Sequence, residues 1–223
     1  MKKAILFLLF ISMIVIQLMS FFMVFKVKEA SSLINDVIFI DPGHGGKDNG
    51  THYENVLEDE LNLKLAKNLY EAILSDGGYC YLTRNDDYDL SYAYSKNHKL
   101  DDLKKRIEYI EKAKSTLFVS LHLNYYPNNN VNGLQVFYQK DNEKSKLLAT
   151  TMQETLNKEN LRKKKTKKGD FYLLNNCKVT GILIEYGFLS SEYDRKKLLD
   201  DKYLKQLANL IKSGINEYLK KYC

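Results

Sequence analysis

Beyond residue 36 the chain alternates short apolar runs with amphipathic stretches. VIFID (37–41) is an unbroken run of strand-forming residues, as in a strand buried on both faces. Residues 58–75, EDELNLKLAKNLYEAILS, set Leu61, Leu65, Leu69 and Ile73 at i, i+4 spacing behind an acidic first turn. That predicts an amphipathic helix stopped by Gly77 and Gly78. YCYLT (79–83) predicts the next strand, and a polar, tyrosine-rich loop leads to a helix near 100–114 with Leu103, Ile107 and Ile110 on one face. LFVSL (117–121), GLQVFY (133–138, after an Asn-Gly turn signal), FYLL (171–174) and GILIE (181–185) predict further strands, and a helix covers roughly 142–158. Two helices close the chain, the last carrying Leu204, Leu207, Ile211, Ile215 and Leu219. Strands alternating with such helices predict a single α/β domain, a mostly parallel twisted sheet with helices on both faces.

The N-terminus follows a different pattern. Lys2 and Lys3 precede 22 residues, Ala4 to Phe25, interrupted only by Ser12, Gln17 and Ser20. A helix of ~20 residues spans a bilayer core. The run exceeds the ~7–15 apolar residues usual for a cleaved signal, and VKEASS is a poor cleavage site. Residues 1–28 therefore read as an uncleaved membrane anchor, with a cleaved signal sequence as the alternative. Either places the domain at 36–223, after a linker at 29–35, outside the cytoplasm.

Composition narrows the class. With 44% hydrophobic residues the chain can bury a real core, which excludes disorder. The net charge of +6 suits work near anionic polymers or a membrane surface and does not argue for nucleic acid. Cys80, Cys177 and Cys223 are too few and too scattered for a disulfide framework or a Cys-x-x-Cys metal knuckle. Cys80 reads as core, and one disulfide stays open for an exported chain.

Candidate chemistry begins in VIFIDPGHGG (37–46), where a buried strand breaks into a histidine flanked by glycines. A phosphate cradle, a tight structural turn and a metal site would each use such a loop. The nucleotide reading fails, because Gly43, Gly45 and Gly46 are followed by no glycine at position 48 and no GK[ST] is present. VIFID runs into His44, LFVSL into His122 and GILI into Glu185, and ligands of open α/β sheets sit beyond the carboxyl ends of strands. Glu58 opens the helix after the first strand's loop, which can carry it back over the same edge. Two histidines and a carboxylate are a sufficient zinc set with one position open. Their scattering, 14 and then 64 residues apart, is unlike a structural zinc finger. A second carboxylate, Glu185, could take a water's proton and return it to a leaving amine. Each residue has a plainer reading: His44 as a turn histidine, His122 as a satisfied core histidine, Glu58 as a complement to the helix dipole. Glu185 must reach solvent or a partner, since carboxylates are almost never buried unpaired. His52 and His98 lie in polar stretches and read as surface residues, with His52 a spare ligand at most.

IDPGHGGKDNG (40–50), LEDELNLKLAKNL (57–69), YLTRNDD (81–87), FVSLHLN (118–124) and ILIEYGFLSS (182–191) occur in one order and spacing. Together they resemble the zinc-dependent N-acetylmuramoyl-L-alanine amidases of the amidase 3 family, across nearly all of residues 36–220. The resemblance implies one zinc held by His44, Glu58 and His122, with Glu185 as the catalytic carboxylate. Within EDELNL the family position aligns with Glu58 rather than Glu60. The implied reaction is hydrolysis of the amide joining N-acetylmuramic acid to the L-alanine of the peptidoglycan stem peptide. Asp41 and Asn124 fall in the motifs as supporting groups, and Asn124 and Arg84 are candidates for substrate contact, Arg84 equally for stabilising the fold.

The layout is most like the germination-specific spore-cortex amidases, which strip stem peptides so that muramic-δ-lactam can form. Some relatives within the family need an activating protein partner. Two rivals are a zinc peptidase of the stem peptide and a non-hydrolytic, metal-containing wall-binding module, which would have no use for Glu185. RKKKTKK (162–168) carries six positive charges in seven residues. It reads as a solvated loop or as a contact for an anionic glycan or lipid surface.

Overall fold

The computed structural model describes residues 11–17, 33 and 35–222. Contacts divide the chain into two units, Met1–Ser31 and Ser32–Cys223. In the first, residues 11–17 are helical with exposed side chains, and the rest of the expected anchor lies outside the described residues. Among the described residues, no helix is long and apolar enough to cross a membrane.

The second unit has strands β1 (Val37–Pro42), β2 (His52–Tyr53), β3 (Val56–Leu57), β4 (Tyr79–Leu82), β5 (Leu117–Asn124), β6 (Gln135–Tyr138), β7 (Lys167–Lys168) and β8 (Gly181–Phe188). Its helices are α1 (Glu58–Ser75), α2 (His98–Lys112), α3 (Glu143–Leu156), α4 (Tyr172–Asn176), α5 (Glu192–Leu198) and α6 (Asp201–Tyr222). Six strands make one sheet in the order β4-β1-β5-β8-β6-β7, and β2 pairs with β3 in a separate ribbon. β4, β1, β5 and β8 run parallel; β6 is antiparallel to β8, and β7 is parallel to β6. The chain leaves β1 for β4 on one side and then crosses to β5 on the other. At such a switch point the flanking loops diverge and leave a crevice at the carboxyl strand ends.

Strand alternation sorts the core into two layers. Ile38, Ile40, Val119, Ile182 and Ile184 pack against α1, α3 and α6 through Leu65, Leu69, Met152, Ile211 and Ile215. On the opposite face Phe39, Phe118 and Leu183 meet Ile110 of α2 and Leu173 and Leu174 of α4. The expected mostly parallel sheet with helices on both faces is thus present. α1 spans the expected residues and ends at Gly77, whose φ of 80° supplies the left-handed turn that terminates a helix.

Three local expectations change. FYLL is not a strand: Phe171 is extended, and Tyr172–Asn176 form the short helix α4. Four apolar residues carry too little periodicity to separate strand from buried helix. Here the adjacent Leu173 and Leu174 both enter the second core layer, which a strand's alternation would forbid. The Asn132–Gly133 signal does make a left-handed turn, with Gly133 at φ 88°, but it closes no hairpin, because β8 lies between β5 and β6. The basic run is not simply a loop either, since Lys167 and Lys168 are β7 at the sheet edge. Cys80 and Cys177 are buried free thiols, and Cys223 lies outside the described residues.

Candidate active site

Each parallel strand delivers one functional segment to the same edge. β1 ends at Pro42 and turns through Gly43 into His44, whose φ of 62° is left-handed and costs about 1–3 kcal/mol in a residue with a side chain. β5 carries His122 near its end, and Glu185 on β8 stands directly opposite it in register. Glu58 is the first residue of α1, brought back over the edge by the 43–57 loop. That return is fixed by the backbone bonds Glu58 N to Thr51 O (3.0 Å) and Asp59 N to Asn49 O (3.3 Å).

His44 Nε2 lies 3.2 Å and His122 Nδ1 3.1 Å from the same Glu58 oxygen, Oε1. One ligand atom from each of the three residues falls within 4.8 Å of the other two, a group that could hold a metal ion. Glycine is what allows the approach. A Cβ on Gly43 would stand 2.2 Å from Cε1 of His122, and one on Gly50 would stand 2.5 Å from Oε2 of Glu58. The remaining lone pairs of Glu58 are engaged, Oε2 accepting from Thr51 N (2.8 Å) and Oε1 from Leu123 N (2.9 Å). His44 Nδ1 is 3.1 Å from Asp48, which orients the ring with Nε2 facing Glu58. A carboxylate behind a ligating imidazole is the usual way such a ring is fixed.

The electrostatics are those of a carboxylate held between two imidazoles. Burial opposes the charge on Glu58, yet hydrogen bonds and charge from His122 and His44 hold it far below the ordinary glutamate range. Burial likewise opposes protonation of His44, but Glu58 and Asp48 raise it above the usual value. Glu185 behaves oppositely. Burial pushes it up to about 7, the His122 and His44 charges opposing and the Glu58 charge adding. It is 7% exposed, and its Oε2 is buried with no hydrogen-bond partner among the described residues. Two carboxylates in one cleft are therefore held apart, Glu58 far below neutrality and Glu185 near it, a division that suits a charged ligand and a proton carrier. The cleft itself, about 360 Å³, also touches Leu103 and Lys99 of α2 and Phe171, Tyr172 and Leu173 around α4.

Arg106 escaped the sequence reading. It is buried, and its guanidinium donates to Asp41 Oδ1 (2.8 Å), Pro42 O (2.7 Å), His44 O (2.6 Å) and Asp102 Oδ2 (2.8 Å). It thereby fixes the strained backbone that presents His44. Its position between Leu103 and Ile107 on the inner face of α2 was the available signal. Asp41 completes the network by accepting from Thr83 Oγ1 (2.7 Å) and Ser120 Oγ (2.6 Å). Arg84, just beyond β4, is also buried and donates to the carbonyls of Pro42, Gly43, Asp59 and Asp86. Asn124 caps the end of β5 by accepting from Tyr125 N (2.8 Å). His52 is exposed, and His98 pairs with Ser91 Oγ at 2.6 Å, away from the cluster.

Arg106→Met is expected to destabilise the fold by about 3–5 kcal/mol, because it leaves Asp41 buried without the guanidinium that it is paired with. Urea unfolding of the full chain reads this, and adding Asp41→Asn should recover part of the loss. The same network sets the acid limit. Burial opposes charge on Asp41, but Arg106, Ser120 and Thr83 lower its pKa overall. Its contribution is therefore complete above the unfolded value of ~3.9 and is lost as pH falls through the lower folded value. Asp41→Asn should be less stable at pH 7 and show a flatter decline in stability below about pH 4.

Residues 38–217 match the profile of the N-acetylmuramoyl-L-alanine amidase family, Amidase_3, and the chain belongs to that family. It is an N-acetylmuramoyl-L-alanine amidase. Over 191 residues it is 32% identical to the germination-specific N-acetylmuramoyl-L-alanine amidase of Bacillus subtilis (strain 168), covering 83% of this chain and 81% of that one. Its fold is similar to the CwlD amidase from Clostridioides difficile, solved in complex with the GerS lipoprotein (TM-score 0.80, 36% identity, 84% of this chain and 100% of that one). The N-acetylmuramoyl-L-alanine amidase of Clostridium difficile 630 is similar as well (TM-score 0.76, 31% identity, 85% and 100%).

Proposed function

We propose that this chain is a zinc-dependent amidase of spore-cortex peptidoglycan, releasing stem peptides from N-acetylmuramic acid so that muramic-δ-lactam can form. The observation that carries the reading is the convergence of His44, Glu58 and His122 on one point, with Glu185 opposite His122 in the sheet. The donor set fits zinc, which takes imidazole nitrogen and carboxylate oxygen and keeps a position open in catalytic sites. When bound, zinc supplies a Lewis acid and makes hydroxide available near neutral pH.

The protein's own groups account for the proton. The open carboxylate oxygen of Glu185 takes a proton from the attacking water and delivers it to the alanine nitrogen as the carbon–nitrogen bond breaks. His44 and His122 stay oriented by Asp48 and the strand frame, while Arg106 and Arg84 hold the loop that carries His44. The cortex role is supported by similarity to a germination-specific amidase. An activating protein partner is proposed because a similar amidase was solved with a lipoprotein. Residues 1–28 are proposed as the membrane anchor that keeps the domain on the wall side.

Mass analysis of peptidoglycan digested by the full chain tests the reaction. The expected products are stem peptides beginning with alanine and glycan retaining intact muramic acid. Peptides lacking that alanine would instead identify a stem peptidase.

A further inference from the structure

The basic run at 162–168 is built into the sheet edge. Lys167 and Lys168 pair in register with Phe137 and Tyr138 of β6. Asn157 grips Lys164 at both backbone groups, its Oδ1 accepting from the amide and its Nδ2 donating to the carbonyl, each at 2.9 Å. Gln135 Nε2 donates to the Lys165 carbonyl at 2.7 Å. The half-buried Lys164 ammonium donates to Gly133 O (2.9 Å) and lies 5.0 Å from the centre of the Phe188 ring. Between these elements runs a groove of about 580 Å³, walled by Lys164, Lys165 and Lys167 with Asn124, Phe137 and Phe188, and with no acidic residue in its lining.

The groove adjoins the catalytic cleft. Gln135 stands opposite Glu185, and Glu185 opposite His122, so one strand step of ~4.8 Å separates groove from site. Asn124 lies two residues beyond His122 on the same strand. Phe137 of the groove packs edge-on against Phe171 of the cleft, with ring centres 5.2 Å apart.

We propose that this groove binds a carboxylate of the stem peptide, downstream of the bond that is cut. The inference rests on the amidase reading. In that substrate the muramic carboxyl is consumed in the amide, so the glycan is uncharged there, whereas the stem carries carboxylates. A groove whose lining, among the described residues, carries lysines and no acid complements that part of the substrate, with Asp194 behind Lys164 outside the lining. Lys164 is engaged with Gly133, so the contact falls to the exposed Lys165 and Lys167. Their aromatic neighbours lower the local dielectric and strengthen the attraction.

Calorimetric titration of the full chain with L-alanyl-γ-D-glutamyl-L-lysine and with its fully amidated counterpart tests this, with wall digestion run in parallel. The tripeptide with its two carboxylates free should bind about fivefold more tightly than the amidated one, the size that exposed ion pairs give. Lys165→Gln with Lys167→Gln should abolish the difference, Lys165→Arg with Lys167→Arg should keep it, and salt should erode it. Equal affinity for the two peptides, or discrimination that survives the double glutamine change, overturns the proposal. Loss of binding to phosphatidylglycerol vesicles in that variant, with the peptides bound alike throughout, also overturns it and assigns the run to a lipid surface. Digestion without discrimination removes the groove and leaves the amidase reading; discrimination with no digestion even when the proposed partner is supplied does the reverse.

Discussion

Glu185→Gln is expected to keep its metal and lose about 10²–10⁴-fold in turnover, the usual contribution of a positioned general base. The substitution preserves volume and shape at a site only 7% exposed, so packing changes little. What disappears is the proton-accepting oxygen. Oε2 of Glu185 is buried and has no hydrogen-bond partner among the described residues, so it stands uncommitted on the side of the cleft. None of the three converging ligand atoms comes from Glu185, so metal content should stay at the level of the unaltered chain. Full turnover in the glutamine variant would remove Glu185 from the chemistry.

His122→Ala is expected to lose both metal and activity. The imidazole contributes one of three ligand atoms, and it also lies 3.1 Å from the Glu58 carboxylate. Without it Glu58 keeps His44 and the two backbone donors, so the carboxylate remains satisfied and the fold should survive. Metal analysis of the purified variant, with circular dichroism to establish folding, separates the two effects. A folded His122→Ala chain that retains stoichiometric zinc would show that the ligand set is different. The paired outcomes matter more than either alone, since only a division of labour between binding and proton transfer predicts metal kept in one variant and lost in the other.

The sequence displayed the sheet and the site more clearly than it displayed what holds the site in shape. Short runs rich in strand-forming residues, VIFID, LFVSL and GILI, favour strands covered on both faces, and their ends point to His44, His122 and Glu185. The helix over 58–75 declared itself through its four-residue spacing. Other features depend on partners remote in sequence. Arg106 shows in the sequence only its place on the apolar face of its helix, and its role appears once Asp41, 65 positions away, and the carbonyls of Pro42 and His44 are placed around it. Strand order was hidden for the same reason. β5 and β6 follow one another along the chain, yet β8 inserts between them, and no local pattern records that crossover. FYLL was ambiguous because four apolar residues fit either period, and the tertiary pocket for Leu173 and Leu174 decided for a helix turn. The basic run read as solvated because its anchors, Asn157 and Gln135, are ordinary polar residues in the sequence.

The most direct measurement takes zinc content and wall-digestion products from one preparation of the full chain, before and after chelation. The expected result is one zinc per chain, alanine-terminated stem peptides, loss of digestion on chelation and its return when zinc is restored. A metal-free chain that still released those peptides at the same rate would contradict the account at its centre.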